Sequence, residues 1–210
     1  MSEKIGLISD VHATPAPLGE ALQILRTAGA ETILCAGDIA GYGSRLEETI
    51  ALLIASNCRV ITGNHDLWWL ERDDIDPAGP VAGYLRGLPR VVTLAAMGRQ
   101  VCMVHASPPG SVMDGIRLLD EKGVLIEAEK QRWRLILKNL ACDVLVVGHT
   151  HQVFAERLGD LLVVNPGSTV FNHSCAILNL PGMEVEVFGL ETKEPLLSWN
   201  WGMLGKNGGF

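Results

Sequence analysis

Short apolar runs separated by longer mixed stretches set the pattern of the first third of the chain. Lys4 to Ser9 reads as a first strand, and apolar positions 18, 21, 22 and 25 recur at helical spacing until Gly29 stops them. Thr32 to Ala36 predicts a second strand. Ser44, with Glu47 three residues on, predicts the start of a helix reaching Ser56, and Arg59 to Thr62 a third strand. This βαβαβ order suits right-handed crossovers and a parallel sheet.

Residues 67–89 predict a short helix, a loop and another short helix. Arg90 to Leu94 and Gln100 to Val104 read as strands around a Met97-Gly98 turn. Leu118 to Leu140 predicts one long helix with Leu125, Trp133, Ile136, Leu137 and Leu140 on its apolar side and Gly123 as a candidate break. The rest is strand-rich: Val144 to Val147, Gln152 to Arg157, Leu161 to Val164, Ser174 to Leu180 and Met183 to Phe188. The expected architecture is α/β, with two packed mixed sheets and helices outside. Without an internal repeat or linker, residues 1–210 read as one domain. A tail from about residue 192 is expected to pack on it or on a partner; there Trp199 and Trp201 would cover apolar surface, as at a homo-oligomer contact.

The strands matter for the residues at their ends. Asp10-Val11-His12, Gly37-Asp38, Gly63-Asn64-His65-Asp66, Val104-His105 and Gly148-His149-Thr150-His151 each come after an apolar run. Open α/β sheets place their sites at the carboxyl ends of strands. Five of the six histidines fall in these loops, and His173, outside them, reads as a surface or packing residue. Residues i and i+2 at a strand end project to one side, so Asp10 with His12 and His149 with His151 are expected to aim at a single place. With Asp38, Asn64 and His105 they make seven candidate ligands, all oxygen or imidazole nitrogen. That donor set suits divalent Mn, Fe, Zn, Ni or Mg rather than a thiolate zinc site. Seven ligands exceed one tetrahedral shell and match two sites sharing a carboxylate, with Asp38 as the bridge.

In this order the five motifs, covering residue 6 to about 168, resemble the calcineurin-like metallophosphoesterase superfamily. The Gly41-Tyr42-Gly43 form of the second, His105-Ala106-Ser107-Pro108 and Asn165-Pro166-Gly167-Ser168 resemble most closely its small bacterial phosphodiesterase branch. The resemblance implies a four-layer αββα sandwich. It implies that Asp10, His12, Asp38 and His151 hold one metal, and that Asp38, Asn64, His105 and His149 hold the other. Ala13-Thr14, Ser44 and Thr169-Val170-Phe171-Asn172 depart from the family pattern around the substrate.

Two cations about 3.5–4 Å apart can lower the pKa of a shared water and stabilise in-line attack on phosphorus. The expected reaction is therefore phosphodiester hydrolysis by a bridging hydroxide. His65 would protonate the leaving oxygen and Asp66 would orient its ring. The alternatives are a phosphomonoesterase, a nucleotide pyrophosphohydrolase, or a metal-bound scaffold for protein binding. His65 favours the enzyme, because a scaffold is expected to have lost it. Tyr42 and Arg45 are weaker candidates for substrate contact. Trp68 and Trp69 read as core or lid residues, with base stacking as the alternative.

Composition narrows the partners. A net charge of −7 argues against a broad nucleic-acid surface but leaves room for a small phosphorylated substrate beside bound cations. Five cysteines without C-x-x-C spacing point to a reducing compartment. No run approaches the ~18 residues of a membrane span, and Ile5 to Ile8 is too short for a signal-peptide core, so a soluble cytoplasmic protein is expected.

Overall fold

The computed structural model describes residues 2–199. Its first sheet uses β1 (Glu3–Ile8), β2 (Thr32–Cys35), β3 (Arg59–Val60), β9 (Ser174–Leu180) and β10 (Glu184–Gly189), in the order β10-β9-β1-β2-β3. The second uses β4 (Val91–Ala96), β5 (Arg99–Val104), β6 (Val144–Val146), β7 (Val153–Leu158) and β8 (Leu161–Pro166), in the order β4-β5-β6-β8-β7. Both are mixed: β1, β2 and β3 run parallel, as do β5, β6 and β8, with antiparallel strands outside them.

Side-chain alternation sorts the core into layers. Ile5 and Leu7 of β1, Leu34 of β2, Val101 and Met103 of β5, and Val144 and Val146 of β6 meet between the sheets. Ile8, Ile33 and Cys35 point the other way, under helices α1 (Pro15–Thr27) and α2 (Leu46–Ala55). Leu145 and Val163 face outward from the second sheet onto Trp133 and Leu137 of α5 (Glu127–Leu137). The order helix, sheet, sheet, helix is the expected four-layer sandwich. Two short helices, α3 (Asn64–Leu70) and α4 (Pro80–Arg86), complete the described elements. Among the described residues no helix is long and apolar enough to cross a membrane.

Two expectations need correction. The helix expected over 118–140 begins only at Glu127. Ahead of it, Gly123 takes φ +79° and a bridge joins Leu119 to Leu125. The backbone there is satisfied by side chains rather than by a helix. Gln152 Oε1 accepts from the N–H groups of Leu118 and Leu119 (2.9 and 3.0 Å), and Asp120 Oδ1 accepts from those of Lys122 and Val124. Ile136, expected on the apolar side, is 55% exposed, because Trp133 and Leu137 alone define the buried stripe of the shortened helix. Second, Ser44 does not cap α2: Arg45 holds the cap position, without a side-chain cap bond.

Up to Trp199 the tail lies on the domain. The Val153 N–H bonds to Leu197 O, the Leu196 N–H to Asn172 O, and the Trp199 N–H to His151 O. Trp201 lies outside the described residues.

Candidate metal centre

The loops after β1, β2, β5 and β6, and the start of α3, converge at one end of the two parallel cores. The ladder between β1 and β2 continues irregularly past the strands: Asp10, His12 and Ala13 donate to Gly37, Asp38 and Ile39 carbonyls. This carries Asp10 and His12 alongside Asp38. Between β5 and β6, Gly148 N–H to His105 O does the same for His105 and His149.

The paired ligands converge for a reason other than strand alternation. Asp10, His12, Asp38, His149 and His151 all have φ between 43° and 66°. A left-handed conformation at a non-glycine residue costs free energy, and such residues persist where the surroundings over-determine them, commonly at functional sites. Here the backbone turns sharply at each ligand, and the side chains are fanned toward one point.

Six of the seven candidate ligands are buried; His149 is half-buried. Their donor atoms form three groups in which all atoms lie within 4.8 Å: Asp10, His12 and His151; His12, Asp38 and His65; and Asp38, His105 and His149. Asn64 joins the last group, its Oδ1 lying 3.0 Å from His105 Nε2 and 2.8 Å from His149 Nδ1. All seven are therefore brought together, and Asp38 stands where two groups meet.

The hydrogen bonding fits cations. His105 Nδ1 faces Ala36 O at 2.7 Å, so this nitrogen carries the proton. In the neutral ring Nε2 then presents a lone pair, yet it faces Asn64 Oδ1 and, at 3.4 Å, Asp38 Oδ1. Likewise His12 Nδ1 faces Ala40 O, which turns the Nε2 lone pair toward His151 Nε2 at 3.1 Å. Nitrogens and oxygens facing one another in a buried space call for positive charge between them, as protons or as cations, and carbonyl-anchored imidazoles are the usual support of metal ligands. The electrostatics agree. Burial would lower the His105 pKa, but the Asp38 carboxylate lifts it to about 9. Burial, opposed by Asp38, pushes His12 down to about 4. Burial would raise Asp38 and Asp10; neighbouring His105 and His151 instead hold them below the usual carboxylate range.

Two glycines make room for this packing. A Cβ at Gly63 would strike Asp38 Oδ1 and lie 2.8 Å from its Cγ, and a Cβ at Gly148 would strike Ser9 Oγ. Asp38 Oδ1 also accepts the His65 N–H at 2.9 Å.

His65 is half-buried, its ring 4.8 Å from those of Tyr42 and Trp68 and 4.9 Å from that of His12. Burial lowers its pKa. Asp66, expected to orient that ring, is engaged elsewhere. Its two oxygens each accept a backbone N–H at 2.8 Å, from Ala40 and from Gly63. A carboxylate three residues into α3 naturally reaches back to the N–H before the helix, which explains the Gly63 bond. Burial, then Asp38, push its pKa up to about 7 against these two donors.

Above the histidines opens a cavity of about 370 Å³, lined by Asp38, Tyr42, Asn64, His65, Trp68, His149 and His151, and also by Met113, Gly115, Arg117 and Thr150. Arg45 is not among these residues; it pairs with Glu48 and lines a separate groove between α2 and residues 72–82. His173 also lies outside the cavity, beside Glu191 at 3.6 Å. Several contributors escaped the sequence motifs. Arg117 sits in a loop without regular pattern. Phe171 stacks on His151 with ring centres 5.1 Å apart, Trp199 packs behind Phe171, and Ser168 Oγ donates to Asp10 O. On that side the sequence signals are the run Asn165-Pro166-Gly167-Ser168, at the end of β8, and the departure over Thr169 to Asn172.

An α/β sandwich holding a buried oxygen–imidazole cluster at the strand ends defines a class of metal-dependent hydrolases. Residues 4–180 match the calcineurin-like phosphoesterase superfamily domain, and the chain belongs to that family of metal-dependent phosphoesterases. An uncharacterized protein of Methanocaldococcus jannaschii is 24% identical over 200 residues, covering 85% of this chain and 74% of its own length. Two solved structures share the fold. One is a hypothetical protein of Pyrococcus horikoshii, with a TM-score of 0.70 at 18% identity over 97% of this chain and 91% of that one. The other is a metallophosphoesterase from Sphaerobacter thermophilus, with 0.65 at 23% identity over 91% and 89%.

Proposed function

We propose that the protein is a phosphodiesterase that works with two divalent ions, manganese first among them. The observation that carries this reading is the convergence of His105 Nε2, Asn64 Oδ1, Asp38 Oδ1 and His149 Nδ1 beside the second group of Asp10, His12 and His151. Asp10, His12, Asp38 and His151 would hold one ion, and Asp38, Asn64, His105 and His149 the other. When bound, the ions supply Lewis-acid activation of water and charge neutralisation at the phosphoryl oxygens.

The chain's own residues do the remaining work. His65 faces the cavity with a ring held between Tyr42 and Trp68, where it donates a proton to the leaving oxygen. Asp66 acts through the backbone, fixing the Ala40 loop against the start of α3 so that Asp38, Asn64 and His65 keep their relative places. Among the described residues, Arg117 is the one guanidinium lining the cavity. A diester, with one negative charge and two organic arms, suits a cavity of one arginine and the apolar surfaces of Tyr42, Trp68 and Met113. A monoester dianion calls for more donors.

The test is a substrate panel on metal-reconstituted protein: bis-p-nitrophenyl phosphate, p-nitrophenyl phosphate and nucleotides, each with Mn, Ni, Mg or Zn. The diester should turn over faster than the monoester, and chelation should abolish both rates. A preference for the monoester or for a nucleotide pyrophosphate bond would reassign the substrate. Turnover surviving complete chelation would refute the metal reading, and silence on every substrate would leave a scaffold.

A further inference from the structure

Trp68 and Trp69 are adjacent in sequence and separated in the fold. Trp69 packs against the core beneath α1 and α2. Trp68 is 47% exposed and lines the cavity above the ligand cluster. Helical spacing explains the split. Trp68 stands three residues after His65 and four after Asn64, so all three share one face of α3, which looks into the site.

Across His65 from Trp68 stands Tyr42, 44% exposed. The His65 ring lies 4.8 Å from each, tilted at 63° to the indole and 51° to the phenol. Tyr42 is braced edge-on by Phe171 at 5.3 Å and by His12 at 4.9 Å. The result is a strip of three rings, Tyr42, His65 and Trp68, whose outer two offer surface to the cavity while the middle one is the proton donor. Any group that accepts a proton from His65 therefore leaves across an aromatic floor. Met113, 53% exposed, also lines the cavity, as does Arg117.

Resting on the phosphodiesterase reading, we infer that the leaving arm of the substrate is a nucleoside, its base lying on Trp68 with Tyr42 at its edge. A flat, polarisable base gains from stacking on an indole regardless of its identity. A slender aliphatic alcohol would leave both exposed rings wet. In the reaction water gives up one proton to solvent, from which His65 is later reprotonated, and its oxygen bonds to phosphorus as the P–O bond to the nucleoside breaks. The leaving oxygen takes the proton held by His65, and the other arm departs as a phosphomonoester.

The test compares adenylyl-(3′→5′)-adenosine with glycerophosphoethanolamine as substrates of the metal-loaded wild type, Trp68→Ala and Trp68→Phe. Losing one base stack should lower the ratio of kcat/KM for the dinucleotide over the aliphatic diester by about tenfold to a hundredfold in Trp68→Ala, with Trp68→Phe recovering most of it. Calorimetric titration supplies a readout free of turnover. Adenosine monophosphate should bind Trp68→Ala more weakly by a similar factor, and glycerol 3-phosphate should show a much smaller change. A kcat/KM ratio that is the same in wild type and Trp68→Ala, or equal losses for the two titrants, overturns the inference. Wild-type turnover of both diesters without preference also overturns it and leaves the phosphodiesterase reading standing. Absence of turnover on either diester sinks that reading and the inference together.

Discussion

Gly63→Ala isolates the steric demand of the metal centre. Gly63 has φ −111° and ψ −178°, extended backbone that alanine adopts without strain. Its intrinsic effect would be mildly favourable, about 0.4–1 kcal/mol, because alanine leaves the unfolded chain less freedom. Against this, the new methyl would overlap Asp38 Oδ1 and the Asp38 N–H and lie 2.8 Å from Asp38 Cγ. Neither partner is a loose end. Asp38 is buried, accepts the His65 N–H at 2.9 Å and faces His105 at 3.4 Å. Over-packing of a rigid site costs about 1–3 kcal/mol. Straining a hydrogen bond to a charged group adds about 1–2 kcal/mol more. The net loss is about 1–5 kcal/mol, a fall in Tm of roughly 2–18 °C for a chain of this size. Because Asp38 must move, metal content should fall as well. Gly83→Ala is the control: Gly83 is exposed in α4 with nothing within 4 Å of the added carbon, so the same change should stabilise by about 0.5–1 kcal/mol. Thermal unfolding and metal analysis of both variants read the difference. Equal Tm values and wild-type metal content in Gly63→Ala would refute the claim that this glycine is required by Asp38.

Two further substitutions separate roles within the site. His65→Ala should keep metal content near that of the wild type while kcat falls by roughly 10²–10⁴, the loss of a general acid; loss of metal in that variant would make His65 a ligand instead. Asp66→Asn turns one of two carboxylate acceptors into a donor facing a backbone N–H, so Tm should drop by about 2–12 °C from a cost of about 1–3 kcal/mol. An unchanged Tm would show that the Ala40 and Gly63 contacts contribute nothing to the fold.

Much of the site was legible because its chemistry is carried by short motifs tied to strand ends. Asp10, His12, Asp38, Asn64, His105, His149 and His151 could be chosen by residue type and position, and the fold brings all seven together. The two packed sheets were legible from the order of strand and helix runs, whereas the runs in β1, β2 and β6 are continuously apolar, so the fold alone assigns their alternate residues to different layers. Legibility failed where backbone needs are met by distant side chains. Residues 118–126 carry a helical spacing of apolar positions, yet the N–H groups of Leu118 and Leu119 are taken by Gln152. A one-dimensional pattern holds no trace of a partner more than thirty residues away. The role expected of Asp66 failed likewise, since its neighbour in sequence, His65, is not its neighbour in hydrogen bonding.

By itself the sequence determined the donor set, its order along the chain and the strand runs that deliver it. Local chemistry is enough for that, because ligand type and strand periodicity are properties of neighbouring residues. Tertiary structure alone decided the convergence. It set the left-handed turns that fan Asp10, His12, Asp38, His149 and His151 toward one point, and the division of Trp68 from Trp69. It also placed Arg117 at a site its own segment does not announce, and stacked Phe171 on His151. The physical reason is common to all of these. Burial and close approach depend on which elements pack together, and that is settled by the two sheets meeting, not by any stretch of chain alone.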